Sequence, residues 1–320
     1  MDQKTASSFA TGKFASGAAC TIVFVFFSAA ALFQATALGQ IYVTNAPIHG
    51  NGTIGEYTMS GATVNASLVS GLAEPVGIAI SGSDLFVANH FNSTIGEYTT
   101  SGLVVNSQFL TGLEEPAGIA VSGSDLFVAN FLGTIGEYTT LGATVNASLI
   151  SEITGPIIGP SSQFPWNIAV SGSTLYIANG NGTIAEYSTF GALVNTSLIS
   201  GSGFPGGIAV DGSDLFVSNS DDGTISEYTT SGAPVNLSLI SGLDSPAGIA
   251  VSASDLFVVN FSNGTIGEYT TSGVTVNAAL VSGLNNPEDI LLVVPEPTTA
   301  SLLLIAGAGM LMPRRQKQST

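Results

Sequence analysis

Four short motifs recur in fixed order, six times over, between Gln40 and Val294, and this repetition narrows the fold more than any other feature of the chain. The first is an apolar run ending in asparagine: IYVTN from Ile41, LFVAN from Leu85 and again from Leu126, LYIAN from Leu175, LFVSN from Leu215 and LFVVN from Leu256. The second is TIGEY or a close variant, starting at Thr53, Thr94, Thr134, Thr183, Thr224 and Thr265. The third is a VNxSL-like run from Val64, Val105, Val145, Val194, Val235 and Val276. The fourth is GIAV-like, with its isoleucine at Ile78, Ile119, Ile168, Ile208, Ile249 and Ile290.

Each run is four to seven residues long, rich in β-branched or aromatic side chains and bounded by turn chemistry, and helical periodicity is absent throughout. These are the marks of strands. Asn51-Gly52, Asn181-Gly182, Asp222-Gly223 and Asn263-Gly264 stand just before the TIGEY runs and favour tight hairpin turns. A period of about forty residues with four strands per copy predicts a β-propeller blade. The runs are apolar at successive positions, as strands covered on both faces by neighbouring blades must be. Six copies therefore predict an all-β, six-bladed propeller over residues 40–294.

The order of the motifs resembles that of NHL-type propellers, whose repeat has a Pro-x-Gly-Ile-Ala-Val strand followed by an Ile-Tyr-Val-Ala-Asp strand. Pro116-Ala117-Gly118-Ile119-Ala120-Val121 and then Leu126-Phe127-Val128-Ala129-Asn130 match it closely. The chain departs from that pattern with Asn in place of the usual Asp, and with a glutamate such as Glu137 in the third strand. The resemblance implies that the GIAV strand is innermost in each blade. The last strand, Ile290 to Val294, would then complete the first blade and close the ring without a disulfide, which the lone Cys20 cannot supply within one chain.

All five cationic residues lie near the ends, so residues 40–294 hold no Lys or Arg against twenty Asp and Glu. Such a field repels phosphate backbones and excludes nucleic acid as a partner. The copies are uniform, so the residues that break uniformity carry the functional signal. The excess length of one copy falls in SEITGPIIGPSSQFPWN, between Ile150 and Ile168. In a propeller this link emerges on the same end of the disc as the links between second and third strands. That end is expected to gather Phe164 and Trp166 with the loop tips His49, His90, Phe91, Phe131 and Phe261 as a candidate binding face.

Two further sets repeat. The strand-end asparagines Asn45, Asn89, Asn130, Asn179, Asn219 and Asn260 form a candidate ring on the same end, as ligands for Ca²⁺ or polar anchors for a sugar, or simply as turn residues that bond the backbone. The mid-strand glutamates Glu56, Glu97, Glu137, Glu186, Glu227 and Glu268 have no cation to pair with, and an unpaired buried carboxylate is costly. They are expected on a solvated face. Catalysis by a serine–histidine pair finds no support, since His49 and His90 stand in variable loops without a repeated partner. The enzyme alternative is a divalent-metal-dependent hydrolase, which a resemblance to six-bladed lactonases would imply.

The ends predict the address. Residues 1–39 read as a secretory signal peptide, with Lys4 and Lys13, an apolar run from Ala18 to Leu32, and small residues Ala35, Ala37 and Gly39; a membrane anchor is the alternative. Residues 295–320 hold Pro295-Glu296-Pro297, an apolar segment from Ala300 to Met312 and the pair Arg314-Arg315. This order resembles the PEP-CTERM sorting signal of bacterial envelope proteins, which implies a pause in the membrane through a short apolar helix and processing by an exosortase-type enzyme. The chain is thus expected to be an exported, non-enzymatic propeller binding a glycan such as exopolysaccharide or another envelope protein. The alternatives are the lactonase-like hydrolase and a purely structural matrix component.

Overall fold

A computed structural model describes residues 39–47, 51–151, 153 and 164–294. The expected signal peptide, the sorting tail with Pro295, Glu296, Pro297, Arg314 and Arg315, and most of the insertion lie outside the described residues.

Twenty-four strands follow one another with no helix among the described residues. They begin with β1 (Gln40–Asn45), β2 (Gly52–Thr58) and β3 (Thr63–Leu72), then β4 (Pro75–Ser81), β5 (Asp84–Asn89), β6 (Thr94–Thr99) and β7 (Val104–Leu110). Next come β8 (Pro116–Ser122), β9 (Asp125–Asn130), β10 (Thr134–Thr139) and β11 (Thr144–Ile150), and after the insertion β12 (Pro165–Ser171), β13 (Thr174–Asn179), β14 (Thr183–Ser188) and β15 (Leu193–Ser200). The last eight are β16 (Pro205–Asp211), β17 (Asp214–Asn219), β18 (Thr224–Thr229), β19 (Pro234–Ser241), β20 (Pro246–Ser252), β21 (Asp255–Asn260), β22 (Thr265–Thr270), β23 (Thr275–Ser282) and β24 (Pro287–Val293).

They form six four-stranded antiparallel sheets, the blades of a propeller. Five blades are consecutive quartets, and the sixth sheet runs β24-β1-β2-β3, so the end of the chain completes the blade its beginning started. The innermost strands β24, β4, β8, β12, β16 and β20 contact one another in a closed ring. Glycines make that ring tight. A Cβ on Gly118 would lie 2.8 Å from the Asn167 Cα, and one on Gly77 would lie 2.4 Å from the Ala117 carbonyl.

The two-sided apolarity of the second strands has its cause here. In β9, Leu126 and Val128 pack against the preceding blade, in a cluster with Phe86, Ala88 and Ile95. Phe127 and Ala129 face the other way, into a cluster with Ile168, Leu175, Ile177 and Tyr187 of the following blade. The remaining clusters repeat this at the other interfaces, including that between the first and last blades, where Ile41, Val43 and Ile290 meet Phe257 and Val259.

The outermost strands are different, because over most of their length neither face is covered by a neighbouring blade and burial returns only near their ends, as at Ile150. Val64, Val105, Val145, Val194, Val235 and Val276 are exposed. In every copy the register slips beside an asparagine, as between Glu137↔Asn146 and Tyr138↔Thr144. The asparagine carbonyl accepts the backbone N–H two residues on, for example Ser148 N–H to Asn146 at 3.1 Å and Ser67 N–H to Asn65 at 3.1 Å. The bulge twists the open edge and blunts it against pairing with another chain.

The six repeated glutamates are not on a fully solvated face. Glu56 is buried and the other five are half-buried, because each stands opposite a large residue of the second strand, as Glu137 opposite Phe127. Burial raises the carboxyl pKa of Glu56, Glu97, Glu137, Glu227 and Glu268.

Candidate binding site at one mouth of the propeller

One backbone contact, repeated in every blade, builds the site. The residue after the strand-end asparagine donates its N–H to the carbonyl of the residue before the inner-strand proline: Ala46 to Asn286, His90 to Glu74, Phe131 to Glu115, Gly180 to Phe164, Ser220 to Phe204 and Phe261 to Ser245, all at 2.9–3.1 Å. Two side chains per blade thus meet at one mouth. The residue after each proline, Val76, Ala117, Trp166, Gly206, Ala247 or Glu288, stands just inside it. Trp166 therefore belongs to the innermost strand β12, and only Phe164 to the link before it.

These positions are occupied unequally. On one side His90, Phe131, Phe164, Trp166 and Phe204 form a continuous aromatic run. His90 meets Phe131 edge-on at 5.6 Å, Phe131 stacks on Phe164 at 4.1 Å, and Trp166 meets Phe164 at 6.3 Å and Phe204 at 5.7 Å. Such pairs contribute about 0.5–1.5 kcal/mol each beyond area burial, so the rings hold one another in place. Local backbone adapts to them. Glu74, Glu115, Ser245 and Asn286 take left-handed φ values between 47° and 54°, whereas the bulky Phe204 in the same place does not. Gly180 is required where it stands, because a Cβ there would lie 2.4 Å from the Phe164 ring.

Beside the run lies a cavity of about 270 Å³, lined by Trp166, Phe204, Gly206, Ser220, Ser245, Ala247, Phe261 and Glu288. It spans the first residues of β12, β16, β20 and β24, four successive members of the inner ring, and so opens over the propeller axis. Glu288 and Asp289 are half-buried, and Glu288 lines this cavity. Burial pushes the Glu288 carboxyl up to about 8, helped by the neighbouring charges of Glu74 and Asp289. Burial also lifts Asp289 to about 6 against the N–H groups of Ile78 and Ile290, that of Ile78 lying 3.1 Å from its Oδ2.

The structure thus brings together Trp166, Phe164, Phe131 and His90, and sets Phe261 with Trp166 in the cavity. Phe91 instead points to solvent, 81% exposed. His49 lies outside the described residues. Phe204 and Glu288 are the residues that inspection of the sequence missed. Each was findable by aligning the six copies at the inner-strand proline, where Phe204 falls in the place of Phe164 and Glu288 in that of Trp166.

The strand-end asparagines do not face the axis together. Asn45, Asn130 and Asn219 line three separate clefts, each between the asparagine's own blade and the link leaving the outermost strand of the preceding one. All six are buried, and five donate to the threonine that opens the next strand, for example Asn130 to Thr134 at 3.1 Å and Asn219 to Thr224 at 3.0 Å. Their arrangement fastens the second-strand to third-strand link. Among the described residues, no three His, Cys, Asp or Glu side chains group closely enough to hold a metal ion.

No known protein family and no curated protein matches the chain. Solved structures share its fold at low identity. A chain from the nidogen/laminin complex superposes with a TM-score of 0.65 at 12% identity, covering 81% of this chain and 99% of that one. A streptogramin B lyase does so with a TM-score of 0.56 at 18% identity, covering 78% and 86%. Virginiamycin B lyase from Staphylococcus aureus with quinupristin gives 0.53 at 17% identity, covering 76% and 85%. At these identities the likeness establishes the six-bladed propeller fold and nothing finer.

Proposed function

We propose that this is an exported, non-enzymatic binding propeller of the NHL-like kind, sorted to the cell envelope, that engages a glycan through its aromatic mouth. The observation that carries the reading is the unbroken run of His90, Phe131, Phe164, Trp166 and Phe204 beside a cavity over the axis. Flat apolar rings at the edge of polar loops suit the faces of sugar rings, and binding sites gather on loops carried by a rigid scaffold. The leader at residues 1–39 and the PEP-CTERM-like tail with an exosortase-type processor supply the route. Deleting Trp166 tests the reading: cells carrying Trp166→Ala should shed the protein from their exopolysaccharide, and undiminished retention would count against it.

A second reading rests on Glu288. A carboxyl lifted to about 8 inside an aromatic cavity is suited to proton transfer near neutral pH, and two fold neighbours are lyases. Binding is preferred here because the aromatic run, which extends along the mouth well beyond Glu288, is a surface for contact with a ligand and takes no part in proton transfer. Turnover of any lactone or glycoside that is lost in Glu288→Gln would reverse that preference.

A further inference from the structure

We propose that the mouth cavity selects an amino sugar with a free amine, holding its ring against Trp166, Phe204 and Phe261 and its ammonium group against the Glu288 carboxylate. The inference rests on the aromatic mouth being the binding face and adds the chemistry of its ligand.

Charge supplies the first argument. Residues 40–294 contain no Lys or Arg, so no such side chain balances the acidic groups at this mouth, and the Glu288 carboxyl, raised to about 8 by burial, becomes the carboxylate by passing its proton to an arriving amine. Glu288 stands inside the cavity with Asp289 next in sequence and Glu74 close enough to act on it electrostatically. Three aromatic rings line the same space, and their faces carry the negative end of the ring quadrupole. A cation is the one kind of group that every wall favours.

The polar atoms argue for a sugar rather than a simple alkylammonium. Ser220 and Ser245 share the cavity with Glu288. Ser220 Oγ donates to the Pro246 carbonyl at 2.6 Å and so presents lone pairs. Ser245 Oγ accepts from Ser262 Oγ at 2.9 Å and so keeps its proton to donate. One acceptor and one donor beside apolar rings complement the hydroxyls and apolar face of a pyranose, and about 270 Å³ accommodates one such ring.

Trp166 is the only tryptophan of the chain, so its fluorescence reports occupancy directly. The full chain would be titrated with glucosamine, N-acetylglucosamine, glucose and lysine methyl ester. Glucosamine should bind about tenfold or more tighter than the two neutral sugars, the scale set by one charge-assisted hydrogen bond. Glu288→Gln, which keeps the shape but removes the acid that passes its proton to the amine and pairs with the resulting ammonium, should abolish that preference and keep weak binding of all three sugars, with its fold checked by thermal unfolding. Phe204→Leu should weaken every sugar while leaving the preference in place. Equal binding of glucosamine and N-acetylglucosamine, unaltered in Glu288→Gln, would overturn the amine assignment and leave the aromatic face standing as the site. Lysine methyl ester binding as tightly as glucosamine would overturn the sugar in favour of a cationic peptide side chain. If no sugar perturbs Trp166 and Trp166→Ala still leaves the protein on exopolysaccharide, both the amino sugar and the glycan-binding mouth fall.

Discussion

Glu56 and Glu137 occupy the same place in two blades and meet different neighbours. Gln40 Nε2 donates a hydrogen bond to the Glu56 carboxylate. In the third blade the strand opens with Asp125 instead, and its charge adds to burial in raising Glu137. The molecule therefore holds both versions of one contact. Asp125→Gln should reproduce the first-blade arrangement and stabilise the protein at neutral pH by about 0.5–1.5 kcal/mol, the net value of a hydrogen bond; a lowered unfolding midpoint would contradict it. The carboxyls at the mouth set the pH dependence. Glu288 rises from 4.5 to about 8 and Asp289 from 3.8 to about 6. Over those intervals the folded chain keeps protons that the unfolded chain has released, so stability is greatest on the acid side and falls as pH rises towards about 8. The half-buried glutamates push in the same direction. Thermal unfolding should therefore occur at lower temperature at about pH 8.5 than at about pH 5. Glu288→Gln should recover part of the difference at the higher pH and change little at about pH 4, where both forms are neutral in either state.

Within a blade, each strand is defined by how many of its faces another blade covers. The second strand has two covered faces and the outermost strand leaves most of both open, so equal losses of apolar volume have unequal effects. Phe127 is completely buried between two blades, and truncation to Ala should cost about 3–5 kcal/mol. Val145, in the outermost strand of the same blade, is 54% exposed, and its truncation should change stability by less than about 0.5 kcal/mol. Chemical denaturation of the two variants side by side checks the ordering, and a Val145 effect comparable to that of Phe127 would mean that the edge is covered by something else. This contrast is faint in the sequence, because VNASL and LFVAN are similarly apolar at first sight. What distinguishes them is the asparagine of VNASL, whose side chain takes over a backbone N–H and makes the bulge. The solvated glutamates were misjudged for a related reason. Alternation along TIGEY marks which residues share a face, but the depth of that face depends on the phenylalanine across the strand pair.

At the scale of the whole ring, the blade number and strand order were legible because every copy repeats the same local physics, and a period leaves little freedom once four strands are counted per turn of it. The mouth was only half legible. Phe131, Phe164 and Trp166 stood out as departures from uniformity, whereas Glu288 lies at the far end of the chain and reaches Trp166 only because the ring closes. Closure is therefore the property on which site and stability both depend. It is made by β24 on β1, with Val43 opposite Ile290 and Gln40 opposite Val293, and it is fastened across three elements. Thr44 Oγ1 donates to the Val76 carbonyl at 2.7 Å and accepts from Asp289 N–H at 3.0 Å, while the Asp289 carboxylate accepts from Ile78 N–H. Ending the chain before Pro287 removes the β24–β1 pairing and both Asp289 contacts at once, leaving only the Thr44–Val76 bond, strips the first blade of its inner strand, and uncovers Ile41, Val43 and Phe257, which are buried in the closed ring. A single closed ring has no smaller closed state to fall back on, since every interior blade needs neighbours on both faces. The shortened chain should lose its sharp unfolding transition and bind apolar dyes or associate through the opened edge, whereas a chain ending just after Val294 should unfold as the intact one does. A shortened chain that melted cooperatively at the original temperature would show that the ring is held by its five complete blades and that β24 serves only the mouth.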